Sequence, residues 1–134
     1  MTDRLGTTVV HRRYVANSHY AGNLVEGAYA LGLFGDAATE VCIRTDGDEG
    51  LFAGYSQIRF IEPIYAGDVV EVTASVTRVG GRSRDVEFSC TVVCRRRPEV
   101  SASASRVLDP PLVAVVATGT VVVPPAPVAP PAQT

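Results

Sequence analysis

The stretch HYAGNLVEGAYALGLFGDAATEVCIR, residues 19–44, decides the fold. It predicts a short polar loop followed by one long helix over residues 23–44, with Asn23 as a plausible N-cap. The glycines inside this helix are Gly27, Gly32 and Gly35. Because an internal glycine costs about 0.5–1 kcal/mol relative to alanine, they indicate that another element lies against the helix backbone. We therefore expect a central, buried helix with a site at its first turn, where unpaired N–H groups point.

Alternating apolar and polar residues elsewhere predict five strands. Their expected bounds are 7–16, 51–61, 69–79, 83–95 and 112–123. Residues 98–111 are expected to form a long irregular connection, and the last strand to be buried on both faces. One helix and five strands in this order predict an α+β fold, an antiparallel five-stranded sheet wrapped around one long central helix, which is the hot-dog arrangement. Its exposed sheet edge predicts a homodimer joined edge to edge.

The composition predicts one hot-dog domain over residues 1–124 and a disordered proline- and alanine-rich tail over 125–134. A net charge of −2 gives no case for nucleic acid or for an acidic membrane. The N-terminus lacks an apolar signal region and no apolar run is long enough to span a bilayer, so we expect a cytoplasmic protein. The three cysteines match no zinc spacing, and we expect them to be core residues of a reducing compartment and no metal site to be present. All 12 basic residues are arginine, which excludes a lysine Schiff base.

Two carboxylates and an arginine repeat at four-residue spacing on the predicted helix: Asp36, Glu40 and Arg44. On an ordinary surface helix they form a solvated stripe with a Glu40–Arg44 pair. On a buried helix the two carboxylates cannot both ionise at low cost, so one of them has a raised pKa. Because this helix is expected to be buried, we favour the second interpretation, which makes Asp36 or Glu40 a candidate general base.

Polar residues also surround the predicted start of the helix. His19 is either a catalytic residue or a loop histidine without a role, and Tyr20 either binds a substrate carbonyl or caps the helix. Asn23 either binds that carbonyl or caps the helix, and the helix dipole alone can explain Glu26. On a later hairpin, Ser83 and Arg84 either contact a phosphate or face water.

An ordered series of motifs resembles one family. The motifs are HYAGNLVEGA (19–28), LFGDAATE (33–40), DGDEGLF (46–52), PIYAGD (63–68), the pair Ser83-Arg84, RPEVSASASRVLDPPLV (97–113) and GTVVVP (119–124). Together they resemble the 3-aminobutyryl-CoA ammonia-lyase family and its relative, β-alanyl-CoA ammonia-lyase, which are hot-dog proteins. The resemblance covers roughly residues 11–124, each motif alone being weak and the combination specific.

The resemblance implies a carbon–nitrogen lyase that reversibly eliminates ammonia from a 3-aminoacyl-CoA to give a 2-enoyl-CoA such as crotonyl-CoA. Asp36 or Glu40 would be the base and the other carboxylate would hold the amine. Backbone N–H groups near Gly22 and Asn23 would form the oxyanion site.

In the same interpretation, His19 and Tyr20 would orient the substrate, Glu26 and Ser83 would line its site, and Arg84 would meet a coenzyme A phosphate. No cofactor beyond the coenzyme A of the substrate is implied. The thioester could be carried by coenzyme A or by a carrier protein, and the enzyme could be a homodimer, a dimer of dimers or a trimer of dimers.

Two other functions remain open from the sequence. One is a thioesterase-like hot-dog enzyme that adds another amine, such as glycine, to an enoyl thioester or hydrolyses it. The other is a non-catalytic acyl-thioester binder.

Overall fold

The computed structural model describes residues 4–125 and contains one long helix and five strands in the predicted order. The elements are β1 (Thr8–Tyr14), a 3-10 turn (Ala21–Asn23), α1 (Ala28–Asp46), β2 (Leu51–Phe60), β3 (Val69–Val79), β4 (Ser83–Arg96) and β5 (Ser105–Val122). The strands form one antiparallel sheet in the order β1-β3-β4-β5-β2. This is the predicted α+β hot-dog arrangement, which is confirmed. The predicted tail, 125–134, lies outside the described residues apart from Pro125.

The core lies between one face of α1 and the concave face of the sheet. Alternate residues of β3, such as Val70, Val72 and Ala74, are fully buried, because a strand turns every second side chain to the same face. From the helix, the fully buried Phe34 stacks on Phe88 of β4 with ring centroids 5.0 Å apart. The apolar stripe of α1 is therefore the surface against which the sheet packs.

The helix begins five residues later than predicted, at Ala28 instead of Asn23. Asn23 has a positive φ of 62° and its carbonyl accepts a hydrogen bond from the N–H of Ala66, while Leu24 forms a β-bridge with Tyr65. These pairings with a distant segment keep residues 23–25 out of the helix, so Asn23 is not its N-cap. Gly27 occupies that position, without a side-chain hydrogen bond.

The glycines of the helix region have different surroundings. A Cβ on Gly27 would come within 3.0 Å of the Phe60 ring, so here the predicted close approach exists. At Gly32 and Gly35, no atom of the described residues would lie within 4 Å of an added Cβ. The helix is therefore buried on one side only, and the side that carries these two glycines is open in a single chain.

The last strand is longer than predicted and begins at Ser105. Prolines 110 and 111 suggested an irregular connection, because proline cannot donate a backbone hydrogen bond. The ladder between β4 and β5 steps from Val92↔Leu112 to Cys94↔Val107, so both prolines fall in a bulge that needs no donor. From Val115 to Val122 buried and half-buried residues alternate, and most of residues 105–113 are exposed, so the prediction of burial on both faces is wrong.

All three cysteines are free thiols. Cys42 and Cys90 are buried in the core as predicted, and burial raises the pKa of Cys42 to about 11 and that of Cys90 to about 12. Cys94 is half-buried. Among the described residues, no helix is long and apolar enough to cross a membrane.

Candidate active site

An open cleft of about 360 Å³ lies at the start of α1. We call it the helix-start cleft; its lining residues are Tyr20, Leu24, Val25, Glu26, Gly27, Ala30, Phe60, Ile61, Glu62, Pro63, Ile64 and Val115. The lining is mostly apolar, with two carboxylates. The first turn of the helix forms one wall, so the positive end of the helix dipole is at the cleft, as predicted. A carbonyl bound there would have its oxygen near unpaired backbone donors.

The side chains of His19 and Glu26 contact each other beside this cleft. The His19 Nδ1 atom lies 3.0 Å from Glu26 Oε2, and the two side chains are 57% and 33% exposed. The Tyr20 ring packs edge-on against the His19 ring, with centroids 4.6 Å apart. The His19 ring is therefore held beside the cleft by its contacts with Glu26 and Tyr20. Three of the predicted site residues are therefore brought together.

Gly22 and Asn23 lie on the other side of the same loop. Both have positive φ values, 73° and 62°, and both are exposed. The backbone N–H of His19 and that of Tyr20 bond the carbonyl of Leu24, which closes the loop into a compact turn. This turn keeps residues 19–23 next to the helix start, although none of them belongs to the helix.

Asp36 and Glu40 lie on the open side of α1, and the prediction that they are buried is wrong. Asp36 is exposed, and the side chain of Glu40 is 35% exposed. Glu40 bonds His11 Nε2 at 2.6 Å and Arg44 Nε at 2.7 Å. These two hydrogen bonds lower the pKa of Glu40, so the expectation of a raised pKa does not hold for this carboxylate.

Within one chain the predicted site residues fall into two groups. One group, His19 to Glu26, surrounds the helix start; the other, Asp36 and Glu40, lies further along the helix. From Ala28 to Asp36 the helix rises about 12 Å, at about 1.5 Å per residue. Neither Asp36 nor Glu40 lines the helix-start cleft.

Arg84 is not available to bind a phosphate, which corrects the prediction. Its side chain is 4% exposed and donates to Asp46 at 2.9 and 3.3 Å and to the carbonyls of Gly80 and Ser83 at 3.1 and 2.9 Å. An arginine has five N–H donors, so one at most is left. Ser83 lies on the same hairpin, away from the helix-start cleft. We therefore assign Ser83 and Arg84 a structural role: they connect the β3–β4 hairpin to the end of α1.

The Asp46 carboxylate is expected to make the stability of the protein depend on acid pH. Burial alone raises the pKa of Asp46, but hydrogen bonds from Arg84, Thr45 and Arg4 outweigh burial and hold the pKa below the usual 3.8. The ionised carboxylate therefore stabilises the fold above pH 3.8, and this contribution is lost as the pH falls through the lower folded-state pKa. Urea denaturation followed by circular dichroism should show a shallower loss of stability below about pH 5 for Asp46→Asn than for the wild type. Parallel profiles for the two proteins would contradict this assignment.

Residues 60–64, which are not among the predicted site residues, also form part of the cleft. Phe60, Glu62 and Ile64 line it. The signal in the sequence is the carboxylate of Glu62, which directly precedes the motif PIYAGD (63–68). The cleft-lining side chains that can transfer a proton are those of Tyr20, Glu26 and Glu62.

Comparison with known proteins identifies the family. A profile of the thioesterase superfamily matches residues 22–99. The 3-aminobutyryl-CoA ammonia lyase of Acetoanaerobium sticklandii is 47% identical over 108 residues, which cover 81% of this chain and 86% of that protein. The chain belongs to the 3-aminobutyryl-CoA ammonia-lyase family. The resemblance stated from the sequence motifs is confirmed.

Solved structures place this ammonia-lyase family member among hot-dog enzymes. The β-alanyl-CoA:ammonia lyase of Clostridium propionicum superposes with a TM-score of 0.84 at 32% identity, covering 89% of this chain and 86% of that one. A hexameric hot-dog thioesterase of Campylobacter jejuni superposes with a TM-score of 0.69 at 18% identity, covering 84% of this chain and 79% of that one. The second likeness is one of fold alone.

Proposed function

We propose that the protein reversibly eliminates ammonia from a 3-aminoacyl-CoA, such as 3-aminobutyryl-CoA, to give the 2-enoyl-CoA. The observation that carries this proposal is the 47% identity to a 3-aminobutyryl-CoA ammonia lyase over most of both chains. The close superposition on a β-alanyl-CoA:ammonia lyase supports it. In the reaction a proton leaves the carbon α to the thioester, the bond between the β carbon and nitrogen breaks, a carbon–carbon double bond forms and ammonia departs.

Asp36 is our candidate for the base that takes the α proton. Glu40 is the poorer candidate, because its carboxylate is already bonded to His11 and Arg44 and its lowered pKa makes it a weak proton acceptor. A carboxylate that stays ionised is suited to hold the substrate ammonium, which is the second role required. We therefore assign proton removal to Asp36 and amine binding to Glu40.

The helix-start cleft is our candidate for the thioester subsite. As the α proton leaves, negative charge moves to the thioester oxygen and must be met by donors. We assign these donors to the unpaired backbone N–H groups of the first turn of α1, because Gly27 and Ala30 line this cleft, whereas Gly22 and Asn23, to which the sequence assigned the donors, line a different one. His19 and Tyr20 would orient the thioester, and the Glu26 carboxylate holds His19 in place. This chemistry needs no cofactor beyond the coenzyme A of the substrate.

A second copy of the chain would bring the two groups of site residues together. The strands β1 and β2 are the edges of the sheet, and β2 exposes Leu51 and Phe60, which are 78% and 58% accessible. The open side of α1, with Gly32, Gly35 and Asp36, is free for a partner in the single chain. We propose a cytoplasmic homodimer joined through a sheet edge, or a dimer or trimer of such dimers, with Asp36 and Glu40 facing a cleft between subunits.

The test is a three-way incubation of crotonyl-CoA with enzyme and ammonia, enzyme and glycine, or enzyme alone, followed by mass spectrometry. We expect 3-aminobutyryl-CoA in the first mixture only, since the 47% identical relative is named an ammonia lyase. A boiled-enzyme control removes non-enzymatic addition. A glycine adduct would indicate the alternative amine-adding enzyme, and free crotonate would indicate a thioesterase, to which the superfamily match also leads. Binding of crotonyl-CoA without any product would indicate a non-catalytic binder.

A further inference from the structure

A second cleft, of about 250 Å³, opens on the other side of the loop that borders the helix-start cleft. We call it the ribbon cleft, because Arg95 and Arg96 line it at the end of β4, where this strand pairs with the start of β5 as a two-stranded ribbon. Its lining residues are Gly22, Asn23, Tyr65, Ala66, Asp68, Arg95, Arg96 and Pro98. Tyr20 and Leu24 face the helix-start cleft, while Gly22 and Asn23 face the ribbon cleft. A molecule that crosses this loop therefore meets both clefts.

Arg95 is neutralised inside the ribbon cleft. Its guanidinium forms two hydrogen bonds, of 3.0 and 2.9 Å, with the fully buried Asp68 carboxylate and a third, of 3.0 Å, with the Pro63 carbonyl. The same guanidinium lies over the Tyr65 ring, 4.9 Å from its centroid. The bidentate pair uses the charge of both partners, so Arg95 and Asp68 together bring no net charge to the cleft.

Arg96, by contrast, brings a positive charge that no acid compensates. Its guanidinium donates to the Ala102 carbonyl at 3.0 Å, and among residues 4–125 it has no carboxylate partner. Four of its five N–H donors therefore have no protein acceptor. The residue is half-buried, and its stem lies against Gly67, while the hydrogen bond of its guanidinium to Ala102 is exposed.

The fold holds the Arg96 side chain in position. A Cβ on Gly67 would come within 2.1 Å of Arg96 Cδ, so only glycine leaves room for the arginine stem to lie across this turn. Gly67 also has a positive φ of 91°, which glycine adopts without strain. The carbonyl of Ala102 fixes the far end of the side chain. A positioned guanidinium with free donors is the group that phosphate oxygens bind well.

We propose that Arg96 binds a phosphate group of the thioester carrier in the ribbon cleft, while the acyl end lies in the helix-start cleft. This inference rests on the proposed function, which supplies a substrate with a reactive thioester at one end and phosphates at the other. The sequence assigned phosphate binding to Arg84, but the Arg84 guanidinium is already bonded to Asp46. We therefore assign phosphate binding to Arg96. Coenzyme A and the phosphopantetheine arm of a carrier protein both offer such a phosphate.

The test compares Arg96→Gln with the wild type on crotonyl thioesters of coenzyme A, phosphopantetheine and N-acetylcysteamine, the last of which has no phosphate. For crotonyl-CoA we expect KM to rise roughly 10- to 100-fold, the effect of losing hydrogen bonds to a charged group, with kcat changed little. For the N-acetylcysteamine thioester we expect kcat/KM to stay within about twofold, since no interaction is lost. A loss for both phosphate-bearing thioesters locates the contact at the pantetheine phosphate; a loss for crotonyl-CoA alone locates it at the nucleotide.

Arg106→Gln is the matched control. Arg106 lies on the same ribbon and is exposed, but it lines a different cleft, so its loss removes the same charge without the proposed contact. We expect its KM for crotonyl-CoA to change less than about threefold, and Arg96→Lys, which keeps the charge, to fall between Arg96→Gln and the wild type. Circular dichroism and thermal melting of each variant check that the fold is retained.

The proposal is overturned if KM for crotonyl-CoA is unchanged in Arg96→Gln, if Arg106→Gln loses as much, or if the N-acetylcysteamine thioester suffers equally. Calorimetric titration with free coenzyme A separates it from the proposed function. If the wild type binds coenzyme A and Arg96→Gln binds it roughly 10- to 100-fold more weakly, the site stands even without lyase turnover. Equal binding by both proteins overturns the site even if the lyase reaction is observed.

Discussion

Replacing Asp36 with asparagine is expected to lower kcat for ammonia elimination by about 10²–10⁴-fold, the usual cost of losing a positioned general base. Asparagine keeps the size of the side chain but cannot accept the α proton. The exposed position of Asp36 on the open side of α1 means that the substitution removes no core contact, so the variant should remain folded and keep its subunit association. Mass spectrometry measures the turnover of 3-aminobutyryl-CoA. Size-exclusion chromatography measures whether the subunits stay associated.

Two further variants make the Asp36 result specific. Asp48→Asn removes a negative charge from the loop after the helix, where an asparagine oxygen can still accept the 2.8 Å hydrogen bond from the Gly50 N–H, so activity should match the wild type. Glu40→Gln should chiefly raise KM for the 3-aminoacyl thioester, because it weakens the binding of the ammonium. If Glu40→Gln abolishes turnover while Asp36→Asn is active, the two roles are reversed. Wild-type activity in both variants would remove the helix carboxylates from the mechanism.

Replacing Arg84 with methionine is expected to lower the free energy of unfolding by about 3–5 kcal/mol, the cost of leaving a buried charge without its partner. The value should lie near the lower end, because Asp46 keeps its 2.9 Å contact with Arg4. The Gly80 and Ser83 carbonyls would also lose their donor. Urea denaturation followed by circular dichroism, at one fixed protein concentration for all variants, measures the change.

The matched control for Arg84 is Arg82→Met on the same hairpin. Arg82 is exposed, so its replacement should change stability by no more than about 0.5 kcal/mol. At a temperature where Arg84→Met is still folded, its KM for crotonyl-CoA should equal that of the wild type. A stable Arg84→Met variant with a raised KM would restore the phosphate role that the structure withdraws from this arginine.

The fold could be predicted because its elements repeat simple patterns. The alternation along β3 and the glycine-rich helix each have a local signature, and together they leave few arrangements. The start of α1 could not be predicted, because what ends the loop is a bridge from Leu24 to Tyr65, more than forty positions away in the chain. The length of β5 was hidden by its prolines, which a bulge accommodates.

For the candidate site, the sequence predicted which residues lie near each other in the loop better than it predicted their burial and their partners. The loop residues His19, Tyr20 and Glu26 were placed together correctly by their closeness in sequence. Arg84 was misassigned, because nothing local shows that Asp46 reaches it from the end of the helix. The exposure of Asp36 was also missed, since helical spacing does not reveal which side of a helix a sheet covers when both sides carry small residues.

The buried thiols described above bear on how the protein tolerates its own product. A 2-enoyl thioester is an electrophile whose β carbon is attacked by thiolates and by free amines. With pKa values of about 11 and 12, Cys42 and Cys90 remain protonated at neutral pH and are enclosed by the core, so neither is open to alkylation by the enoyl group. The sequence also contains no lysine amine to compete with ammonia. At these positions the chain offers the unsaturated acyl group nothing to react with.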